Sequence, residues 1–226
     1  MKILAVETST KNFSLAIFCD GKILACRNIR LKKVLSSSII PSIDRILKEA
    51  KIPLARLDGY AVGLGPGSFT SLRVGLGTVK ALSFVAHKPV VGISSLDALA
   101  MNVKNPHQQI GTICDARRNL LYSCIYEIKN GELKRKTKYL LCGIDDFLKQ
   151  IKEDTLFIGD GIKLFKEEII KSGKTQFSFA EEKYWYPRAD KLALLAERRF
   201  REKKFDDLET LIPLYLYPDD CQVGQK

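Results

Sequence analysis

Over its first thirty positions the chain alternates short apolar runs with polar breaks, the pattern of consecutive strands. KILAVE (Lys2–Glu7) and FSLAIFC (Phe13–Cys19) are rich in β-branched and aromatic residues, and the polar stretch ETSTKN separates them. KILACRNI (Lys22–Ile29) follows Asp20-Gly21, a dipeptide suited to a tight hairpin. The period then becomes helical. Ile39, Ile43, Ile46 and Ala50, joined by Ile40 and Leu47, recur three and four apart behind the candidate caps Ser36, Ser37 and Ser38. A strand over Leu57–Gly63, a glycine-rich turn, a long helix to about Ala86 and a short strand over Lys88–Ile93 follow, and SSLDALAMNV reads as a short helix.

The same order then restarts. Strand patterns cover Gln109–Ala116 and Leu120–Ile128, an Asn130-Gly131 hairpin turn follows, and ELKRKTKYLL reads as a third strand. IDDFLKQI reads as a short helix, DTLFIGDG as strand and turn, and KLFKEEIIKS as a helix. Three strands, helix, strand and helix thus occur twice, with a period near 105 residues, which points to duplicated subdomains. The expected fold is α/β and actin-like, with subdomains over 1–104 and 105–226. A last helix over about 190–204 can pack back on the first subdomain, and LIPLYLYP reads as a strand or extended arm.

Composition narrows the chemistry. The chain has 226 residues, 46% of them hydrophobic, enough for a sizeable core. Its formal charge of +11 favours acidic partners such as RNA, or reflects a lysine-rich solvated surface. The densest basic runs are Arg27, Arg30, Lys32 and Lys33, and Lys134-Arg135-Lys136 with Lys138. None of the six cysteines forms a C-x-x-C pair, and the two histidines, His87 and His107, form no H-x-x-x-H pair, so no metal site is expected. The opening run does not read as a secretory leader and no apolar stretch has the length of a membrane span. A cytoplasmic chain with reduced thiols is therefore expected.

Two stretches carry candidate chemistry. Glu7, Thr8 and Ser9 stand where actin-like phosphotransferases place an acid and small hydroxyls against phosphate, and Gly159 and Gly161 of IGDG hint at a second phosphate loop. A polar hairpin turn capped by its own hydroxyls is the plainer reading. The other stretch is GLGPGSFTSLRVGLG (Gly63–Gly77). Its glycine spacing fits neither a P-loop, which needs a lysine, nor a dinucleotide fingerprint. Gly65, Pro66, Gly67 and Ser68 fit a type II turn that starts a helix, with Ser68 or Thr70 as cap and a helix N-terminus open to an anion. Gly75 and Gly77, inside that helix, lie about 200° apart. Leu72, Gly75, Val79, Leu82 and Ala86 make one stripe, and Thr70, Val74, Gly77, Ala81 and Phe84 make another. Such a helix is packed on two sides: one against its own sheet, the other against a second helix from this chain or from a partner. Asp115 beside Arg117 and Arg118 reads as a strand-end ion pair or a site.

ILAVETST, GLGPGSFTSLRVG, PVVGISSLDALA and DARRNLLY occur in an order that resembles the TsaB (YeaZ) family over nearly the whole chain. The resemblance implies an actin-like fold (ribonuclease H-like, two duplicated subdomains) and a cytoplasmic protein of tRNA modification, serving N6-threonylcarbamoyladenosine at position 37. It implies no catalysis by this chain but support of a catalytic TsaD subunit, which carries an H-x-x-x-H metal motif absent here. It also implies a TsaE-type ATPase as partner, a homodimer in isolation, tRNA engaged through the complex, and ATP used by the assembly with no cofactor bound by this chain alone. The partner-binding helices it implies are Ser38 to Ala50 and Phe69 to Ala86. On them stand Ile39, Ile40, Ile43, Leu47, Thr70, Arg73, Val74, Gly77, Ala81 and Phe84. Ser71 and Leu35 depart from the family's usual glycine and histidine. The alternative is a small-molecule phosphotransferase built on Glu7, Thr8, Ser9 and the GDG turn at Gly159–Gly161.

Overall fold

The computed structural model describes residues 1–31, 34–103, 108–173 and 177–218. Lys32, Lys33 and His107, named above, and Cys221, one of the six cysteines, lie outside the described residues. The first half of the chain runs β1 (Lys2–Glu7), β2 (Asn12–Cys19), β3 (Lys22–Arg30), α1 (Leu35–Ala50), β4 (Gly59–Gly63), α2 (Phe69–Ala86), β5 (Val90–Ile93) and α3 (Ser95–Ala100). The second runs β6 (Gln109–Arg117), β7 (Leu120–Lys129), β8 (Glu132–Arg135), β9 (Leu140–Cys142), α4 (Ile144–Gln150), β10 (Thr155–Ile158), α5 (Ile162–Lys171), β11 (Phe177–Phe179) and α6 (Ala189–Arg201). Two compact units result. Unit 1 holds Met1–Ala98 and Pro187–Leu214, and unit 2 holds Leu99–Tyr186 and Tyr215–Lys226.

Unit 1 is a sheet in the order β3-β2-β1-β4-β5, with β1, β4 and β5 parallel and β2 and β3 antiparallel to their neighbours. Side chains alternate across a strand, so β1 serves two cores. Leu4 and Val6 pack with Ile43, Ile46 and Val79 of α1 and α2. Ile3 and Ala5 pack with Leu192, Ala193 and Phe200 of α6. Burial on both faces is why β1 reads as a continuous apolar run. Ala5, Ala16 and Ala61 face Ala189, Ala193 and Ala196, small against small, which lets α6 lie close to the sheet.

Unit 2 has the order β11-β10-β6-β7-β8, with β9 also pairing β7. Its core joins Ile113, Leu121 and Ile125 of the sheet to Phe147 of α4 and Phe165 and Ile169 of α5. Phe157 lies at its centre, edge-on to Phe147 and Phe177 and stacked on Phe179.

Four local expectations change. ELKRKTKYLL is two strands: β8 pairs Tyr126–Lys129 and β9 pairs Leu121–Ser123. Between them Lys136 N–H bonds the Ile125 carbonyl and the Thr137 hydroxyl accepts from Ile125 N–H, which bends the chain. LIPLYLYP forms no strand among the described residues, and the Tyr217 hydroxyl donates to the Ala116 carbonyl. β11 is a strand the periodicity did not mark. Helix α1 starts at Leu35 behind Val34, and Ser37 and Ser38, already in its first turn, donate back to the Val34 carbonyl instead of capping.

Candidate functional site

The parallel strands β1, β4 and β5 end together, and the turns after them meet in unit 1. Glu7, the last residue of β1, is fully buried. Its carboxyl accepts the Ser9 N–H at 2.6 Å and the Ser95 hydroxyl at 2.8 Å. Ser95 in turn holds Gly65: its N–H donates to the Gly65 carbonyl at 2.7 Å and its hydroxyl accepts the Gly65 N–H at 3.1 Å. Burial pushes the Glu7 carboxyl above its ordinary pKa, against the opposing effect of the Ser9 and Ser95 hydrogen bonds.

The glycines fit around this carboxyl by leaving out side chains. A Cβ on Gly63 would fall on the Glu7 carboxylate, with Cδ at 2.8 Å. One on Gly67 would fall on the Ser9 carbonyl, with Ser9 Cβ at 2.8 Å, and Ser68 N–H donates to that carbonyl at 2.8 Å. One on Gly75 would strike Thr8, with Cγ2 at 2.8 Å and Cβ at 3.0 Å. Gly67 and Gly75 therefore occupy the ground directly over Ser9 and Thr8. The two hydroxyls are buried and have no hydrogen-bond partner. Gly75 thus lies against the Thr8 side chain, hydroxyl included, and Gly67 against the Ser9 carbonyl and Cβ.

The turn itself is not of type II. The Gly65–Pro66 peptide is cis and the positive φ falls at Gly65 (+89°), not at Gly67. Gly67 is required by space, not by its torsion. Ser68 stands at the N-cap position of α2 without a capping bond, its hydroxyl instead meeting that of Ser71 at 3.1 Å.

The outer side of α2 is different. A Cβ on Gly77 would meet nothing within 4 Å. Thr70, Arg73, Gly77, Ala81 and Phe84 are exposed there and Val74 is half-buried. Phe84 is 71% exposed and Val85, which the pattern did not single out, 78%. Arg73 stacks over the Phe69 ring at 3.7 Å. Of the predicted residues on α1 only Ile40, at 52%, is exposed. Ile39, Ile43 and Leu47 are buried in the core, on the helix that packs against β2 and β3, so their side chains are not surface groups. They form the densest apolar stripe of an amphipathic helix, and that stripe seeks the sheet.

Unit 2 has a comparable pair of turns. A Cβ on Gly159 (φ +127°) would fall on the Ile113 carbonyl, and one on Gly161 would lie 2.8 Å from the same oxygen. Asp160 accepts the Asp115 N–H at 3.0 Å. Asp115 accepts the Arg117 N–H at 2.8 Å and pairs with its guanidinium at 3.2 Å. Arg117, Arg118 and Asn119 all have positive φ, a tight hairpin tip. Gly159 and Gly161 thus serve close packing within unit 2, and Glu7, Thr8 and Ser9 belong to unit 1. The residues that sequence reasoning missed are Ser94 and Ser95. Their signal is position, directly after a parallel strand, where ligand-facing turns of α/β sheets gather.

Two repeated α/β units, each with a hairpin-first sheet and paired turns at the strand ends, define an actin-like protein. A family model described as TsaD, tRNA N6-adenosine threonylcarbamoyltransferase, matches residues 30–222. The chain is 31% identical to the tRNA threonylcarbamoyladenosine biosynthesis protein TsaB of Bacillus subtilis, over 96% of this chain and 94% of that one. It is 27% identical to the protein of the same name from Escherichia coli, over 96% and 94%. The fold matches YeaZ from Pseudomonas aeruginosa with a TM-score of 0.82 at 23% identity, covering 95% of this chain and 99% of that one. The chain belongs to the TsaB family, within the wider family that the matching model describes.

Proposed function

We propose that this chain is the non-catalytic scaffold subunit of a cytoplasmic tRNA N6-threonylcarbamoyladenosine synthesis complex. It holds the TsaD-type transferase in a competent state through the outer faces of α1 and α2. The observation that carries this reading is the open stripe of α2, where Gly77 and Ala81 leave room for a facing helix and Phe84 and Val85 stand exposed beside them. A second copy of the chain uses the same stripe as a homodimer when the transferase is absent. The closed turn at Glu7, Thr8 and Ser9 supports the absence of catalysis and of a cofactor bound by this chain alone, and argues against a phosphotransferase. ATP is consumed by the assembly through a TsaE-type ATPase, and tRNA is engaged by the complex. No described helix is long and apolar enough to cross a membrane.

Gly77→Leu and Ala81→Arg test the reading. Both positions are exposed, so the variants keep their fold, checked by circular dichroism. Titration calorimetry with the cognate transferase should show at least a hundredfold loss of affinity. Near-normal affinity in both variants, or no binding by the unmodified chain, refutes the reading.

A further inference from the structure

Unit 1 carries nearly all of the chain's net charge: 21 Lys and Arg against 12 Asp and Glu, where unit 2 has 16 against 14. The topology gathers much of that excess at one end, opposite the Glu7 turn. Lys2 opens β1 and pairs with Cys19, which pairs with Lys22 at the start of β3. Lys88 leads into β5, and Arg56 precedes β4. Helices α1, α2 and α6 all finish here. Lys51 follows α1, Pro89 after α2 accepts the Tyr60 N–H, and the Phe200 ring of α6 lies against Gly59. The acids at this end are Asp20, Asp58, Glu202, and Asp206 and Asp207 beside Phe205; Asp206 is bridged to Val90 and salt-bridged to Arg199. Among the described residues, Lys22, Lys51, Arg56, Lys88 and Lys203 have no ion-pair partner.

The three helix ends carry a second, independent sign. Each closes with the bond pattern that favours glycine: Ile52 N–H to Leu47 carbonyl, Lys88 N–H to Ser83 carbonyl and Lys204 N–H to Arg199 carbonyl. The left-handed residue inside each is Lys51 (φ +54°), His87 (+49°) and Lys203 (+54°), none of them glycine. Left-handed backbone is unfavourable for such residues, so basic side chains stand where the backbone prefers none. Beside them Phe205 is 42% exposed, with its ring 5.5 Å from that of Phe200.

We propose that this end of unit 1 docks the phosphodiester backbone of a folded RNA. From β3 to β5 the row spans four strand spacings, about 19 Å. It has cations without a built pocket, an arrangement that follows backbone and not base edges. Phe205 offers a ring for an unpaired base. The choice of RNA among polyanions rests on the proposed role in tRNA modification.

The test uses the full chain and a fluorescently labelled tRNA transcript, with anisotropy read across a salt series. The variant Lys51→Gly/Lys88→Gln/Lys203→Gly should bind at least about tenfold more weakly at moderate salt. Its log–log salt slope should fall by about 2–3, for three lost phosphate contacts. Its melting temperature should hold or rise, because glycine relieves two left-handed lysines. Cations kept only to complement helix ends predict the reverse, a lower melting temperature with unchanged RNA binding. Lys134→Gln/Lys138→Gln/Lys163→Gln in unit 2, equal in charge removed, should change affinity by less than twofold. The proposal is overturned if the unmodified chain does not bind the transcript at low salt, if both triple variants weaken equally, or if anionic phospholipid vesicles bind more tightly than tRNA. Transferase binding, measured in parallel, separates the two readings. A chain that binds transferase but not RNA loses only this surface, and one that binds RNA but not transferase loses only the scaffold role.

Discussion

Gly75 and Gly77 stand two residues apart in α2, and alanine at each should move stability in opposite directions. Alanine favours a helix interior over glycine by about 1 kcal/mol, a gain available at both positions. At Gly77 nothing lies within 4 Å of the new Cβ, so the gain is kept. With a 226-residue chain, about 1 kcal/mol raises the melting temperature by about 2–4 °C. At Gly75 the new Cβ collides with Thr8, meeting Oγ1, Cγ2 and Cβ at once. Rotating Thr8 trades one γ atom for the other, and its backbone is held in the turn between β1 and β2. Overpacking of this kind costs about 1–3 kcal/mol, and with three atoms of one residue involved the upper half of that range applies. The net effect is a loss of about 1–2 kcal/mol, a fall of roughly 2–8 °C. Thermal melts at low protein concentration, where the α2 face stays unpaired, read both values. Thr8→Ala removes Oγ1 and Cγ2, so the double variant Thr8→Ala/Gly75→Ala should recover part of the loss, with a coupling of about 1–2 kcal/mol. If Gly75→Ala stabilises as Gly77→Ala does, or if the cycle is additive within about 0.5 kcal/mol, the packing of Gly75 on Thr8 is not what the glycine serves.

Glu7 should leave a mark on the pH dependence of stability. Its folded pKa is raised by burial, so above the ordinary glutamate value the folded chain keeps a proton that the unfolded chain has released. Stability from this group is full below the unfolded pKa and is lost as pH rises through the folded one. Glu7→Gln should flatten that slope in urea titrations run from pH 4 upward, and a wild-type-to-variant difference that stays constant across pH counts against it. In unit 2, Phe157→Ala should cost about 3–5 kcal/mol, because the ring is fully buried among Phe147, Phe177 and Phe179. Hydrogen exchange should then lose protection over β6, β7 and β10 first, and equal loss in β1 and β4 would contradict separate cores.

The strands were legible because burial on both faces leaves a mark on sequence: β1, β2 and β4 are continuous apolar runs, and their alanines record the close approach of α6. The short strands were not. Three residues carry too little period to announce β11, and the bend that divides β8 from β9 depends on the Thr137 hydroxyl, a tertiary bond. On α1 the sequence held much of the answer. Ile39, Ile43 and Ile46 share one stripe that seeks the core, but Ile40 and Leu47, seven residues and about 20° apart on the wheel, share its flank, and only the fold shows Leu47 buried and Ile40 exposed. On α2 the sequence did not. Both stripes are small and apolar, and only the position of Thr8 tells which glycine is crowded and which is open.

The glycine turn shows why motif reading stops where it does. A phosphate loop and this turn need the same thing, backbone close to a neighbour without side chains between, and glycine supplies it in either case. What differs is the neighbour. In unit 1 the atoms that come within reach of Gly63, Gly67 and Gly75 are Glu7, Ser9 and Thr8 of the same unit. The acid of a trio that has the residue types of a phosphate site is thereby used to hold two turns together, and the two residues with hydroxyls are packed under glycines. Glu7 binds Ser95, Ser95 binds Gly65, and Gly67 closes over Ser9. The rigid turn fixes where α2 begins, and hence which way Gly77, Ala81 and Phe84 point. The turn and the surface offered by the helix are therefore one construction, in which the buried Glu7 carboxyl serves the exposed face.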